Sequence, residues 1–228
     1  MQHQEKHFTG SQVVRDIVIG MSDGLTVPFA LTAGMTGAVN SNTIIITAGI
    51  AEIIAGSIAM GLGGYMAGQT DYEHYYAERK REYQEVERIP EFEKKEIRDI
   101  LSEYGISEQN QYIFTDDLSK NKDKWVDFMM RFELGLEKPE LNRARNSALT
   151  IAMAYITGGL IPLLPYFLTS TPISGLYFSI AITLTALLIF GYYKSKLTGQ
   201  SPLSGAFKTA IIGTIAGTAA FLIARLIT

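Results

Sequence analysis

Five stretches of the chain are almost continuously apolar over the length a bilayer demands, and one long stretch between the second and third is polar. A hydrocarbon core of about 30 Å needs about 20 apolar residues per helix. Residues 14–38, 43–68, 147–168, 174–193 and 204–227 meet that requirement. Turn-forming residues separate them: Asn40-Ser41-Asn42, Thr169-Ser170-Thr171-Pro172, and Thr198-Gly199-Gln200-Ser201-Pro202. The polar stretch is patterned as helices too. Residues 71–88 contain neither glycine nor proline, Pro90 opens a second run over 91–104 that Gly105 ends, and a third runs over about 116–136 before Pro139. Apolar residues recur there at spacings of three and four (Tyr72, Tyr75, Tyr76, Tyr83; Phe92, Ile97, Ile100, Leu101; Trp125, Phe128, Phe132, Leu136), the mark of a small bundle with one buried face. No breaker separates Tyr65 from Tyr83, so the second span is expected to continue out of the bilayer as the first insert helix. The expected fold is all-α: a polytopic membrane protein with five transmembrane helices and a three-helix cytoplasmic insert between helices two and three. Its parts are a tail and two spans (1–70), the insert (71–145) and three spans (146–228).

Charge sharpens this division. Of 43 charged residues in the 228, 33 fall within 71–145. The other segments are too poor in charge to be a soluble core without exposing large apolar patches. Cysteine is absent, which excludes disulfides and thiolate metal sites, and a formal charge of -3 gives no reason to expect a nucleic-acid partner. Residues 1–12 are polar and lack an apolar run with a small-residue cleavage site, so the first span is expected to serve in targeting. Lys6, Arg15, the insert, Lys194, Lys196 and Lys208 all flank the same ends of the spans, whereas the loops after spans one and three carry no charge. The positive-inside rule therefore puts the N-terminus and the insert in the cytoplasm and the C-terminus on the far side, with Arg225 a minor exception.

Carboxylates within apolar spans are costly and usually face a bundle interior or a water-filled path. Three qualify: Asp16, Asp23 and Glu52. Asp16 lies near the membrane surface beside Arg15, where pairing or interfacial solvation explains it as well as function does. Asp23 lies mid-span in Gly20-Met21-Ser22-Asp23-Gly24, followed by Pro28, which leaves the carbonyl of Gly24 without its usual helical donor. Broken, glycine-rich spanning helices are where ion sites form, although a glycine-rich packing face around a protonated aspartate is the alternative. Gly20 and Gly24 form a small-xxx-small pair through which two copies of span one are expected to meet. Met60, eight residues after Glu52 and so nearly aligned with it, is either packing or a soft ligand; thioether with carboxylate favours a transition metal over magnesium or calcium. In the insert, Glu82 and Glu85, and Glu93 and Glu96, share helix faces at a spacing of three, and Met129, Met130 and Glu133 fall within one turn. Such glutamates are either a solvated face or a carboxylate-built metal site in a helical bundle. The Glu-x-x-His element of di-iron enzymes is missing, His74 being the nearest histidine, so storage or relay of metal fits better than oxidation. No nucleophilic triad or phosphate loop is present.

At residues 15–30, 48–52, 57–65 (Ser57-Ile58-Ala59-Met60-Gly61-Leu62-Gly63-Gly64-Tyr65) and 127–139, which closes the insert with Asp127-Phe128-Met129-Met130-Arg131-Phe132-Glu133, the sequence resembles the vacuolar iron transporter family, and the resemblance covers nearly the whole chain. It implies a homodimer of five-span subunits that moves Fe2+ from the cytosol into an acidic vacuole in exchange for protons. The path would run between subunits, lined by the first spans. Asp23 and Met60 match the family's membrane ligands, and Glu52 its span-two glutamate, here the preferred proton carrier. Glu82, Glu85, Glu93, Glu96, Met129, Met130 and Glu133 match the ligands of its cytoplasmic metal-binding domain. Mn2+, Co2+, Ni2+ and Zn2+ are further candidate substrates, since carboxylate and thioether accept several metals. Two other readings remain: a membrane-anchored ferritin-like iron-binding or ferroxidase protein, and a structural membrane protein whose acidic insert binds a partner.

Overall fold

The computed structural model describes residues 11–227; the expectations resting on residues 1–10, including the positive flank at Lys6, lie outside the described residues. All regular structure among them is helical: α1 (Ser11–Ala38), α2 (Asn42–Arg88), α3 (Pro90–Glu103), α4 (Glu108–Ser119), α5 (Lys122–Phe132), α6 (Arg143–Leu168), α7 (Pro172–Leu197) and α8 (Pro202–Ile227). Five of these, α1, α2, α6, α7 and α8, are long and apolar enough to cross a membrane. The chain divides into two compact units: everything up to Tyr65 together with Ala144 onward, and Met66–Arg143. Helix α2 is continuous through the boundary at Tyr65, because no proline or capping residue interrupts it.

In the first unit, backbones approach closely at small residues. A Cβ at Gly20 would collide with the Ile151 carbonyl and sit 2.7 Å from Ala154 Cβ; one at Gly24 would collide with the Tyr155 carbonyl. Both glycines thus seat α1 against α6 of the same subunit. The close approach at these glycines is made by α6; the expectation that two copies of span one meet there concerns a second subunit. A buried polar knot ties the ends of α1, α2 and α6 together. The Tyr166 hydroxyl lies 2.9 Å from Thr36 Oγ1 and donates to the Thr32 carbonyl, while Asn42 Nδ2 donates to the carbonyls of Tyr166 (3.1 Å) and Thr169 (2.6 Å). In a medium without water, these partners satisfy groups that would otherwise destabilise the unit by several kcal/mol. Thr171 caps α7, accepting from the Ser174 amide, with Pro172 in the first turn.

In the second unit, the end of α2 packs with α3, α4 and α5 around Tyr75, Val86, Ile97, Trp125, Val126, Met129 and Met130. The third run expected over 116–136 is in fact two helices, and the insert holds three helices beyond the continuation of α2. The break falls at Asn121, whose backbone is extended (φ -122°) and whose side chain accepts from the Lys124 amide, capping α5 afresh. Lys122 pairs with Glu87, Tyr83 donates to Asp123 Oδ1 at 2.6 Å, and the Lys122 ammonium lies 5.2 Å from the centre of the Tyr83 ring. These contacts clamp the start of α5 to α2.

Candidate metal sites in the membrane and in the insert

The membrane carboxylates lie on two helices facing a third. Asp23 is half-buried on α1 and Glu52 half-buried on α2. Tyr155 of α6, only 2% exposed, donates its hydroxyl to Glu52 Oε1. Two glycines lock this tyrosine: its backbone lies on Gly24, and its ring and hydroxyl cover Gly56, where any Cβ would collide with them. With Oε1 so engaged, Glu52 Oε2 is buried without a hydrogen-bond partner, an acceptor available to a proton or a cation. Met60 is half-buried two turns along α2 from Glu52. Asp16 is buried near the start of α1. Sequence reading singled out the acids and passed over Tyr155, though a tyrosine mid-span was a usable signal: a hydroxyl in hydrocarbon must find a partner, and few exist there.

The insert gathers its acids more tightly. Carboxylate oxygens of Glu82 (α2), Glu93 (α3) and Glu133 (the C-cap of α5) all lie within 4.8 Å of one another. Each helix end explains its contribution. Glu93 sits in the first turn of α3, opened by Pro90, and Glu133 stops α5 as Gly135 (φ +64°) turns the chain away. Glu82 and Glu93 are almost wholly buried, and each has its Oε2 atom without a partner. Burial, followed by the charges of Glu133, Glu93 and Glu85, pushes the Glu82 carboxyl up to about 8. Burial and the charges of Glu96, Glu133 and Glu85 push Glu93 up to about 7. Glu96 and Glu133 are raised as well, first by burial and then by neighbouring acids. Arg81 is the nearby counter-charge, held 2.9 Å from Glu78 and 3.4 Å from Glu85. A cluster of this kind is unfavourable when empty and ionised, and a divalent cation relieves it while releasing protons. Met129 and Met130 are fully buried in the apolar cluster of the same unit, while Glu85 and Glu96 are half-buried at its margin. His74 is exposed.

The fold and these two groups of carboxylates define a polytopic, all-helical integral membrane protein with an acidic helical insert. Residues 14–225 match the model of the VIT family, and the chain belongs to that family. It is 54% identical over 225 residues to vacuolar iron transporter 1 of Arabidopsis thaliana, covering 99% of this chain and 90% of that protein. It is 52% identical to vacuolar iron transporter 2 of Oryza sativa subsp. japonica, covering 98% and 91%. To protein CCC1 of Saccharomyces cerevisiae it is 39% identical, over 95% of this chain and 69% of the yeast protein. The chain is accordingly a transporter and not an enzyme.

Proposed function

We propose that the protein exports Fe2+ from the cytosol into a vacuole or another acidic compartment in exchange for protons, as a homodimer with the metal path between subunits. The observation that carries this reading is the pair of intramembrane carboxylates, Asp23 and Glu52, the second fixed by Tyr155 with one oxygen left open. An anchor has no use for such a pair. Iron as the cargo is supported by the names of the relatives. Asp23 and Met60 serve as the membrane ligands and Glu52 as the proton carrier: protonation on the acidic side removes the negative charge that holds the metal, and metal on the cytosolic side displaces the proton. In this reading the N-terminus and the insert are cytosolic and the C-terminus lumenal. The insert collects Fe2+ on Glu82, Glu93 and Glu133, with Glu85, Glu96, Met129 and Met130 completing the ligand set, and raises its supply to the path. Mn2+, Co2+, Ni2+ and Zn2+ are secondary cargoes. The ferritin-like alternative is disfavoured by the all-carboxylate cluster, in which no histidine takes part.

The test is Fe2+ uptake into proteoliposomes under an imposed pH gradient. Uptake should require the gradient, fall to background in Asp23→Ala, and persist at reduced rate in Glu82→Gln. Glu52→Gln should weaken the dependence on the gradient more than it weakens Fe2+ binding. Uptake without a gradient that survives loss of Asp23 would refute the exchanger and its path.

A further inference from the structure

We infer that the first unit holds a structural site for one anionic phospholipid, with an acyl chain in the groove between α1, α7 and α8 and the phosphate on Arg225. The groove is a cavity of about 480 Å³, lined chiefly by Phe29 and Ala33 of α1, Leu176 and Leu184 of α7, and Gly217 and Phe221 of α8. Its lining is mostly apolar, and Thr214 within it spends its hydroxyl on the Ala210 carbonyl of its own helix.

Length identifies the occupant. The lining runs from Leu184 to Ile173 along α7 and from Thr214 to Arg225 along α8. These are eleven helical steps each, about 16 Å at 1.5 Å per residue. That matches one leaflet of hydrocarbon, half of a core of about 30 Å. Leu184 and Thr214 fall near the middle of their spans, whereas Ile173 and Arg225 lie at the ends. The groove thus begins at mid-bilayer depth and opens at the head-group level, the course of an acyl chain.

Charge identifies the head group. Arg225 lies where the groove opens, exposed, with its guanidinium 5.9 Å from the centre of the Phe221 ring. No acidic residue occurs from Asn146 to Thr228, and the turns after α1 and α6 that emerge at the same end carry no charge. At the head-group level the anion available to Arg225 is a lipid phosphate, and in an anionic lipid no choline ammonium competes for it. An arginine suits it, since the guanidinium fork takes two phosphate oxygens together.

The experiment is native mass spectrometry of the full chain released from mixed micelles with phosphatidylglycerol or phosphatidylcholine, with inorganic phosphate as a further arm. The unaltered protein should keep one phosphatidylglycerol per subunit, favoured over phosphatidylcholine about tenfold, or ~1.4 kcal/mol. Arg225→Gln should abolish that preference, and Arg225→Lys should restore part of it. Thr218→Phe, at an exposed position of the lining, should fill the groove and remove both lipids while the melting midpoint stays within a few degrees. Equal lipid retention in all variants, or capture of phosphate alone that Thr218→Phe leaves untouched, would overturn the site. Loss of dimer in Thr218→Phe without loss of lipid would overturn it in favour of a second subunit in the groove.

Discussion

At the scale of single residues, Tyr155 has the most consequence for its size. Its hydroxyl is the hydrogen-bond partner of Glu52 across two helices, and Gly24 and Gly56 leave the ring no other position. Tyr155→Phe keeps the packing and deletes only the donor. An unpaired acceptor in a membrane interior costs about 1 kcal/mol. The protein should therefore fold, melt slightly lower, and carry Fe2+ at a maximal rate reduced about tenfold, with KM for Fe2+ little changed, because Asp23 and Met60 are not touched. An unchanged maximal rate in the proteoliposome assay would show that Glu52 needs no positioning. Most of this site was legible in the sequence, since carboxylates in an apolar run stand out by cost alone. Tyr155 carried only the weaker signal of a mid-span hydroxyl in need of a partner, and that partner lies 103 residues away along the chain.

At the scale of elements, the spans were readable because their signal is a length of uninterrupted apolarity, which neighbouring helices cannot override. The insert helices were less so: Asn121 reads in sequence as one polar residue among many, and only its extended backbone and its bond to the Lys124 amide reveal a cap. Asn121→Ala should cost about 1 kcal/mol, the usual worth of such a cap. The loss would be felt where α5 holds Glu133 in the cluster, so Fe2+ binding to the insert should weaken in step. The sole tryptophan, Trp125, is buried in the first turns of α5, so its emission reports this unit within the intact chain. A variant whose emission unfolds at the same denaturant concentration as the unaltered protein would contradict the assignment. The glycine pair Gly20 and Gly24 carries the complementary lesson. Sequence showed that a helix packs closely there, and the structure supplied the partner as α6.

At the scale of the whole molecule, the charge division along the sequence becomes a division of proton chemistry, and the insert has a pH dependence of its own. In the folded state Glu82 is pushed up to about 8 and Glu93 up to about 7, against an ordinary value of 4.5. Between those limits the folded insert binds more protons than the unfolded chain. Its stability is therefore complete below about pH 4.5 and declines as pH rises through 7 and then 8. Fe2+ held on this cluster, as proposed, would reverse the sign: it would bind the ionised carboxylates, expel their protons and bind more tightly as pH rises. At a concentration of 100 Kd it adds about 2.7 kcal/mol. Anaerobic thermal scans of the intact protein, followed through Trp125, should show a metal-free midpoint that drops from pH 5 to pH 8 and a gap between metal-free and Fe2+-loaded protein that widens over the same range. Chelation at pH 8 should close that gap, and Glu82→Gln should flatten the metal-free slope and shrink the gap together. A metal-free midpoint that climbs with pH would mean that the three glutamates do not form one interacting cluster around the buried Glu82 and Glu93. A gap that stays constant would mean that the metal binds elsewhere, and the insert could then be no collector for a path that exchanges metal against protons.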